Sequence, residues 1–344
     1  MATAWIVLAH LGLLFESGCV SPVYPEWVQP VLMAVGAVAV QFFFVLSGFV
    51  LTWTWSTGRS KFYFLKCRLA RIYPSHVATA VLVAAMLIAA GWDWPGKRIA
   101  LANIALVHTW WPEQRWLLSL NSPSWTLASE LFLYFVLVSI IRRDGSVCWY
   151  RVVFFGALGV SWLFFGLGSA LFAGVPMASR YLMPPSALVP FLAGVAIASL
   201  GRKDPEVICR LGRWKVFVYC LAFPVSLFAF VQLEWLMWLM LWLVTAWALA
   251  ALVRIDIMQK TEVFPFCREP WRSMGRYSFA IYIGHMPIII GVLIFAGGPA
   301  AEWSDGFVLV LATSLILPGM AWVLRNLVEQ PVYRWLTGRE PPLA

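Results

Sequence analysis

The chain has 344 residues, 62% of them hydrophobic and only 12% charged. An ordinary soluble domain carries about twice that charged fraction, so a water-soluble globular fold is excluded. The formal net charge of +9 does not call for a nucleic acid, because surplus Lys and Arg in short connections is how a helical membrane protein sets its orientation. Six cysteines are scattered singly, without CxxC or a Cys/His cluster, so neither a disulfide framework nor a metal site is read.

Apolar runs recur from end to end, and a run of about 20 residues crosses a hydrocarbon core of about 30 Å. They predict an all-α polytopic membrane protein, about ten transmembrane helices in one bundle, forming a single integral-membrane domain over 1–344. The spans fall roughly at 2–15, 30–53, 72–91, 124–141, 151–174, 184–200, 214–231, 234–253, 275–297 and 306–326. The first carries His10 among apolar neighbours and meets Glu16 soon after. About 14 residues rise about 21 Å, short of the core, so a longer first helix beginning upstream is expected. A histidine in such a span is costly unless it has a partner or lines a polar cavity.

The second span holds Gln41, the run FFFVLSGF and a small-residue break at Ser47-Gly48. A buried amide such as Gln41 can bridge helices. The span leads into a basic, aromatic connection with Arg59, Lys61, Lys66, Arg68 and Arg71. Arg68 and Arg71 are three apart, so a helical turn puts both on one side. Guanidinium forks suit phosphate oxygens, although basic connections are equally plain topology signals.

The stretch 98–118 is apolar but interrupted by His108, Pro112 and Glu113. It reads as interfacial or re-entrant. His76 and His108 fall near interfaces, where a wet histidine needs no explanation, and Trp53, Trp55, Trp110 and Trp111 suit an aromatic belt. Span four contains Glu130, in NSPSWTLASELFLYF. Ser122 or Ser124 can cap that helix, but a cap does not account for a carboxylate two turns in, and intramembrane acids default to function. In span nine His285 precedes Pro287. Proline frees a carbonyl one turn back, and His285 can satisfy such a group.

Orientation follows from the basic residues. Of the 25 Lys and Arg, only Lys97, Arg98, Arg115 and Arg180 fall in the odd-numbered connections. The remainder place both termini and the 54–71 connection in the cytoplasm.

Six stretches together resemble the integral-membrane acyltransferase family 3. They are the first-span His10, FFFVLSGF at 42–49, FYFLKCRLARIYP at 62–74, SWTLASELFLY at 124–134, MGRYSFAIYIGHMP at 274–287 and VEQPVYRWL at 328–336. The resemblance implies a ten-helix protein that moves an acyl group from acyl-CoA, acetyl-CoA or another short thioester, to a hydroxyl. It implies His10 as the active-site histidine, Arg68 and Arg71 on the coenzyme A side, and Trp125, Glu130 and His285 as recurring site residues. Two departures stand out. No Arg precedes His10 by about ten residues as family members usually have one, and Gln41 stands where many carry Asp, which removes a carboxylate partner for the imidazole. VLSGFVLTWTW and RLARIYPSH look most like the branch that acylates macrolides and other secondary metabolites.

The expectation is therefore a cell-membrane, multi-pass O-acyltransferase. His10 is its base, Glu130 a second catalytic residue, and Gln41, Ser47, Trp125 and His285 shape the site. Its partners are acyl-CoA, a hydroxylated small-molecule or glycan acceptor and the lipid bilayer, with no nucleic acid and no metal. Two alternatives remain open from residues alone. One is acylation of an extracytoplasmic surface glycan, and the other is a proton-coupled transporter, against which no repeat-related pair of broken helices is found.

Overall fold

The computed structural model describes residues 28–55, 60–141, 177–203, 268–295 and 306–339, together with Val7 and Gly156. Among the described residues every regular element is helical. The longer helices are α1 (Val28–Trp53), α2 (Lys61–Ala89), α5 (Ser124–Ile140), α7 (Leu188–Lys203), α8 (Arg268–Phe295) and α9 (Gly306–Val323). Shorter pieces are α3 (Lys97–Ile104), α4 (Gln114–Leu117), α6 (Met177–Tyr181), and 3₁₀ turns at His108–Trp110 and Pro184–Ala187. Helix α9 continues through a π-helical segment, Leu324–Glu329, into α10 (Gln330–Thr337). Gly338 stops α10 in the left-handed conformation (φ 66°), where a Cβ would be strained.

Four stretches are long and apolar enough to cross a membrane: Gly36–Trp53, Lys61–Ala89, Gly275–Phe295 and Leu309–Thr337. Ser124–Ile140 and Pro184–Ser199 are apolar but shorter. These match the expected spans two, three, nine, ten, four and six. The expected spans at 2–15, 151–174, 214–231 and 234–253 lie outside the described residues, as does His10.

Two sequence readings need correction. The basic connection is not a loop up to Arg71. Helix α2 already begins at Lys61, with Ser60 as its cap: the Ser60 hydroxyl accepts from the Tyr63 amide at 3.1 Å. FYFLKCRLAR contains no breaker before Pro74 and is rich in good helix formers, so Lys61, Lys66, Arg68 and Arg71 ride on the first three turns. Nor is there a break at Ser47-Gly48, because α1 runs straight through it. Gly48 instead makes a close helix crossing. A Cβ there would meet the Phe191 carbonyl oxygen at 2.0 Å, and one at Gly194 would meet the Val45 carbonyl oxygen at 2.0 Å. Glycine on both helices lets the α1 and α7 backbones touch, a device typical of helix pairs in lipid.

The described chain divides into two compact units. The first comprises Met1–Gly36, Ser60–Ala128 and Phe266–Ala344, the second Ala37–Arg59 and Ser129–Pro265. In the first, Ile288, Ile289 and Leu293 of α8 pack against Leu309 and Leu317 of α9. A second cluster joins Ala80 and Val83 of α2 to Leu120, with Ala100 and Ile104 of α3 and Ile290 of α8 packed on it. The stretch 98–118 is not a continuous span. It is folded into α3, a 3₁₀ turn and α4 against these helices.

Candidate functional site

At the start of α2, Arg68 and Arg71 stand one helical turn apart and are half-buried. The Arg68 guanidinium lies over the Phe64 ring, 5.3 Å from its centroid, which keeps a planar cation stacked and aimed. The π-helical segment and α10 pack on α2 here, bringing in a residue that sequence reading missed. Glu329, from the VEQPVYRWL stretch, is only 2% exposed and lies within electrostatic range of Arg71 and Arg325. Arg325, also buried, donates to the Arg276 carbonyl at 2.6 Å and covers the Tyr277 ring. The π turn widens the helix by one residue, and Arg325 and Glu329 both lie within it. The signal was available, since a charged residue inside an apolar motif usually has a buried partner.

Farther along the same unit a polar network is enclosed by apolar residues. Its centre is the segment Ser119–Thr126 that leads into α5. Asn103 of α3 donates through Nδ2 to the Ser119 carbonyl at 2.8 Å, to Ser119 Oγ at 3.1 Å and to Ser124 Oγ at 3.1 Å. His108 Nε2 lies 3.4 Å from Ser124 Oγ, and His76 Nε2 lies 3.0 Å from the Asn103 carbonyl. Thr126 Oγ1 and Tyr282 Oη are 2.9 Å apart and lie 3.0 and 3.1 Å from the Pro123 carbonyl oxygen; one hydroxyl donates to that carbonyl and the other donates either to it or to its neighbouring hydroxyl. Ser124 therefore does not cap α5; its hydroxyl is spent on Asn103 and His108.

The network also answers the question that Pro287 raises. The carbonyl it strips of a helical partner is that of Ile283, four residues back. Asn121 Nδ2 takes it at 2.8 Å and also donates to Thr79 Oγ1 at 2.9 Å. His285, expected to satisfy that group, instead donates from Nδ1 to the Tyr282 carbonyl at 2.5 Å and is wholly buried. The expectation for His76 and His108 also needs correction, because both are fully buried rather than wet. They look interfacial in sequence because Tyr, Trp and Pro surround them, yet α2, α3 and α5 close over them. Burial, and then the nearby His76, push the His108 imidazolium down to about 3, so the ring is neutral at physiological pH. Two leucines beside these groups, Leu106 (φ 58°) and Leu120 (φ 53°), hold left-handed backbone. Such backbone costs about 1–3 kcal/mol and persists where the surroundings over-determine it.

Trp125, at the start of α5, is 4% exposed. In the second unit, Glu130 accepts from Tyr134 Oη at 2.9 Å, one turn along α5. Gln41 is wholly buried; its amide lies beside the Tyr181 phenol without a hydrogen bond of good geometry. Ser47 sits on the α1 turn next to the Gly48 crossing and is half-buried. Among the expected site residues, the structure thus brings Arg68, Arg71, Trp125 and His285 into one unit, and Gln41, Ser47 and Glu130 into the other.

A strongly apolar chain, helical in every regular element among its described residues, with basic residues at the foot of a long span and a polar network enclosed among its helices, is a membrane protein with a built interior. The chain belongs to the acyltransferase 3 family, whose acyltransferase domain matches residues 1–324. It is 25% identical over 350 residues to Acyltransferase MdmB of Streptomyces mycarofaciens, covering 91% of this chain and 84% of that relative. No solved structure matches it. Family membership sets aside the transporter.

Proposed function

We propose that this membrane acyltransferase is an O-acyltransferase, moving a short acyl group from acyl-CoA to a hydroxyl of a sugar or secondary-metabolite acceptor. The observation that carries the reading is the family match across nearly the whole chain. The Arg68 and Arg71 pair on one side of α2 supports it. Acyl-CoA enters from the cytoplasmic face, where both termini also lie, and the two guanidinium groups hold its phosphates. Glu329, within electrostatic range of Arg71, favours that arginine's place beside α10 when the nucleotide is absent.

The acceptor oxygen attacks the thioester carbonyl while His10 takes its proton. The tetrahedral oxyanion is met by a nearby donor, for which Trp125 is the candidate. The carbon–sulfur bond then breaks and the His10 proton goes to the departing thiolate, which leaves the ester and free coenzyme A. Glu130, held by Tyr134, is the second carboxyl-bearing candidate for catalysis, and Gln41, Ser47 and His285 shape the site.

The test is release of free thiol from a panel of acyl-CoAs by membranes containing the protein, with candidate acceptors added. Wild type should release thiol in an acceptor-dependent way. His10→Gln should lower kcat by about 10²–10⁴, the usual cost of losing a general base, while a non-transferable acyl-CoA analogue still binds. Activity within a few-fold of wild type in His10→Gln removes His10 as the base.

A further inference from the structure

The first turn of α2 carries a third arginine that the mechanism above leaves unused. Gly338 stops α10 in the left-handed conformation and turns the chain back. Its amide donates to the Arg334 carbonyl at 2.8 Å. The Thr337 hydroxyl donates to the Tyr333 carbonyl at 2.7 Å and accepts from the Arg339 amide at 3.3 Å. The turn so held sets the Arg339 guanidinium over the Tyr63 ring, 5.6 Å from its centroid. Arg339 is exposed, and among the described residues it has no ion pair. It lies beyond residues 1–324, which the family's domain matches.

Tyr63 and Phe64 are successive residues, and each ring supports one arginine, Arg339 on Tyr63 and Arg68 on Phe64. Tyr333 of α10 joins the two. It lies beside the Cys67 thiol and within electrostatic range of both Arg68 and Tyr63. All of these residues belong to the first unit. Tyr63 precedes Arg68 by five residues and Arg71 by eight, a rise of about 7.5 Å and about 12 Å along the helix. From the helix start inward, the cations therefore run Arg339, Arg68, Arg71.

Coenzyme A carries its charges in a matching order. Going outward from the thioester, the diphosphate comes first, and the 3′-phosphate follows one ribose farther on. With the thioester directed inward and the diphosphate on Arg68 and Arg71, the 3′-phosphate reaches the helix start, where Arg339 stands. A phosphate monoester carries about −1.5 to −2 charge at pH 7 and three strong acceptor oxygens. The Tyr63 ring covers one face of the guanidinium and leaves its N–H edge for such a ligand.

We propose that Arg339, held on Tyr63, binds the 3′-phosphate of coenzyme A and so selects coenzyme A thioesters over thioesters that lack it. The inference rests on the acyl-CoA reading of Arg68 and Arg71, and extends it to a residue outside the RLAR spacing.

The experiment is calorimetric titration of the full-length protein with coenzyme A and with 3′-dephospho-coenzyme A, in phosphatidylcholine nanodiscs whose lipid has no net charge. Wild type should bind coenzyme A about tenfold more tightly, the effect of one charge-assisted hydrogen bond. Arg339→Gln should erase that ratio by weakening coenzyme A alone. Unchanged binding of 3′-dephospho-coenzyme A shows that the variant is folded. Tyr63→Leu should shrink the ratio, and Tyr63→Phe, which keeps the ring, should preserve it. Arg334→Gln removes equal charge from the same helix and should leave the ratio intact. The subsite is overturned by a wild type that does not distinguish the two ligands, or by an Arg339→Gln or Tyr63→Leu variant with an undiminished ratio. An Arg334→Gln variant that loses the ratio as fully also overturns it, because a general field then explains the effect. In each of these cases coenzyme A still binds and the acyl-CoA reading stands. No binding of either ligand overturns both. The expected ratios without thiol release from any acyl-CoA defeat acyl transfer and leave the subsite in place.

Discussion

Asn121 is the residue whose loss the structure prices most directly. Asn121→Ala removes the donor to the Ile283 carbonyl, and no helical amide can replace it because Pro287 has no N–H. Thr79 Oγ1 loses an incoming bond as well, but it keeps its own donation to the Ser75 carbonyl at 2.9 Å. The main cost is therefore one orphaned, buried carbonyl, about 1–3 kcal/mol. In a bilayer the unfolded chain also finds partners, and measured side-chain hydrogen bonds there average about 0.6 kcal/mol and reach about 1.7 kcal/mol. A loss of about 1–2 kcal/mol is expected, roughly a tenfold change in the folded fraction. The sharper test is the pair with Pro287→Ala, which restores an N–H directed at Ile283. In that background Asn121→Ala should cost at least about 1 kcal/mol less, a coupling in the range seen for groups sharing one partner. Unfolding in mixed micelles, followed by near-ultraviolet circular dichroism, measures all four proteins. Equal costs in both backgrounds would refute the assignment of Asn121 as the partner of that carbonyl.

Gly48→Ala drives a methyl into the Phe191 backbone, and should destabilise the second unit by at least about 1–3 kcal/mol in a thermal melt, whereas Ser47→Ala, which adds no volume, should not. Arg71→Met should cost about 0.5–3 kcal/mol more in wild type than in Glu329→Gln, because Arg71 lies within electrostatic range of Glu329; additive melting shifts would dissolve that coupling. Arg68→Glu with Arg71→Glu should raise the KM for acyl-CoA at least tenfold, since charge-assisted bonds contribute about 1.5–3 kcal/mol each, with little change in the acceptor's KM. Unaltered acyl-CoA kinetics in a properly inserted variant would reduce both arginines to topology signals.

What could be read beforehand was local. The RLAR spacing put Arg68 and Arg71 on one helical side, and Pro287 announced a freed carbonyl because proline lacks an amide hydrogen. The six motif stretches placed the chain in its family without the fold. What escaped was whatever depends on a neighbour distant in sequence. The donor for Ile283 comes from Asn121, 162 positions away, and nothing around His285 reveals it. Glu329 drew no reading of its own within VEQPVYRWL, because its burial depends on α10 and the π turn packing on α2. Gly48 read as a break because glycine weakens an isolated helix, while its use against the α7 backbone shows only when both helices are placed. His76 and His108 were misread because aromatic, proline-rich surroundings occur both at membrane interfaces and in closed polar interiors.

The Asn121–Ile283 and Thr126–Tyr282 bonds also set the order in which this protein can be completed during synthesis. A ribosome delivers residues 60–128 long before it delivers 268–295, so the amides and hydroxyls of the Ser119–Thr126 segment emerge with no α8 to receive them. Polar groups left without partners in hydrocarbon are expensive, and until then they must be served by water or lipid headgroups. The segment can settle into the interior only when the last third of the chain arrives. Maturation of the first unit is thus a late, post-insertion event, and the membrane surface is its waiting place.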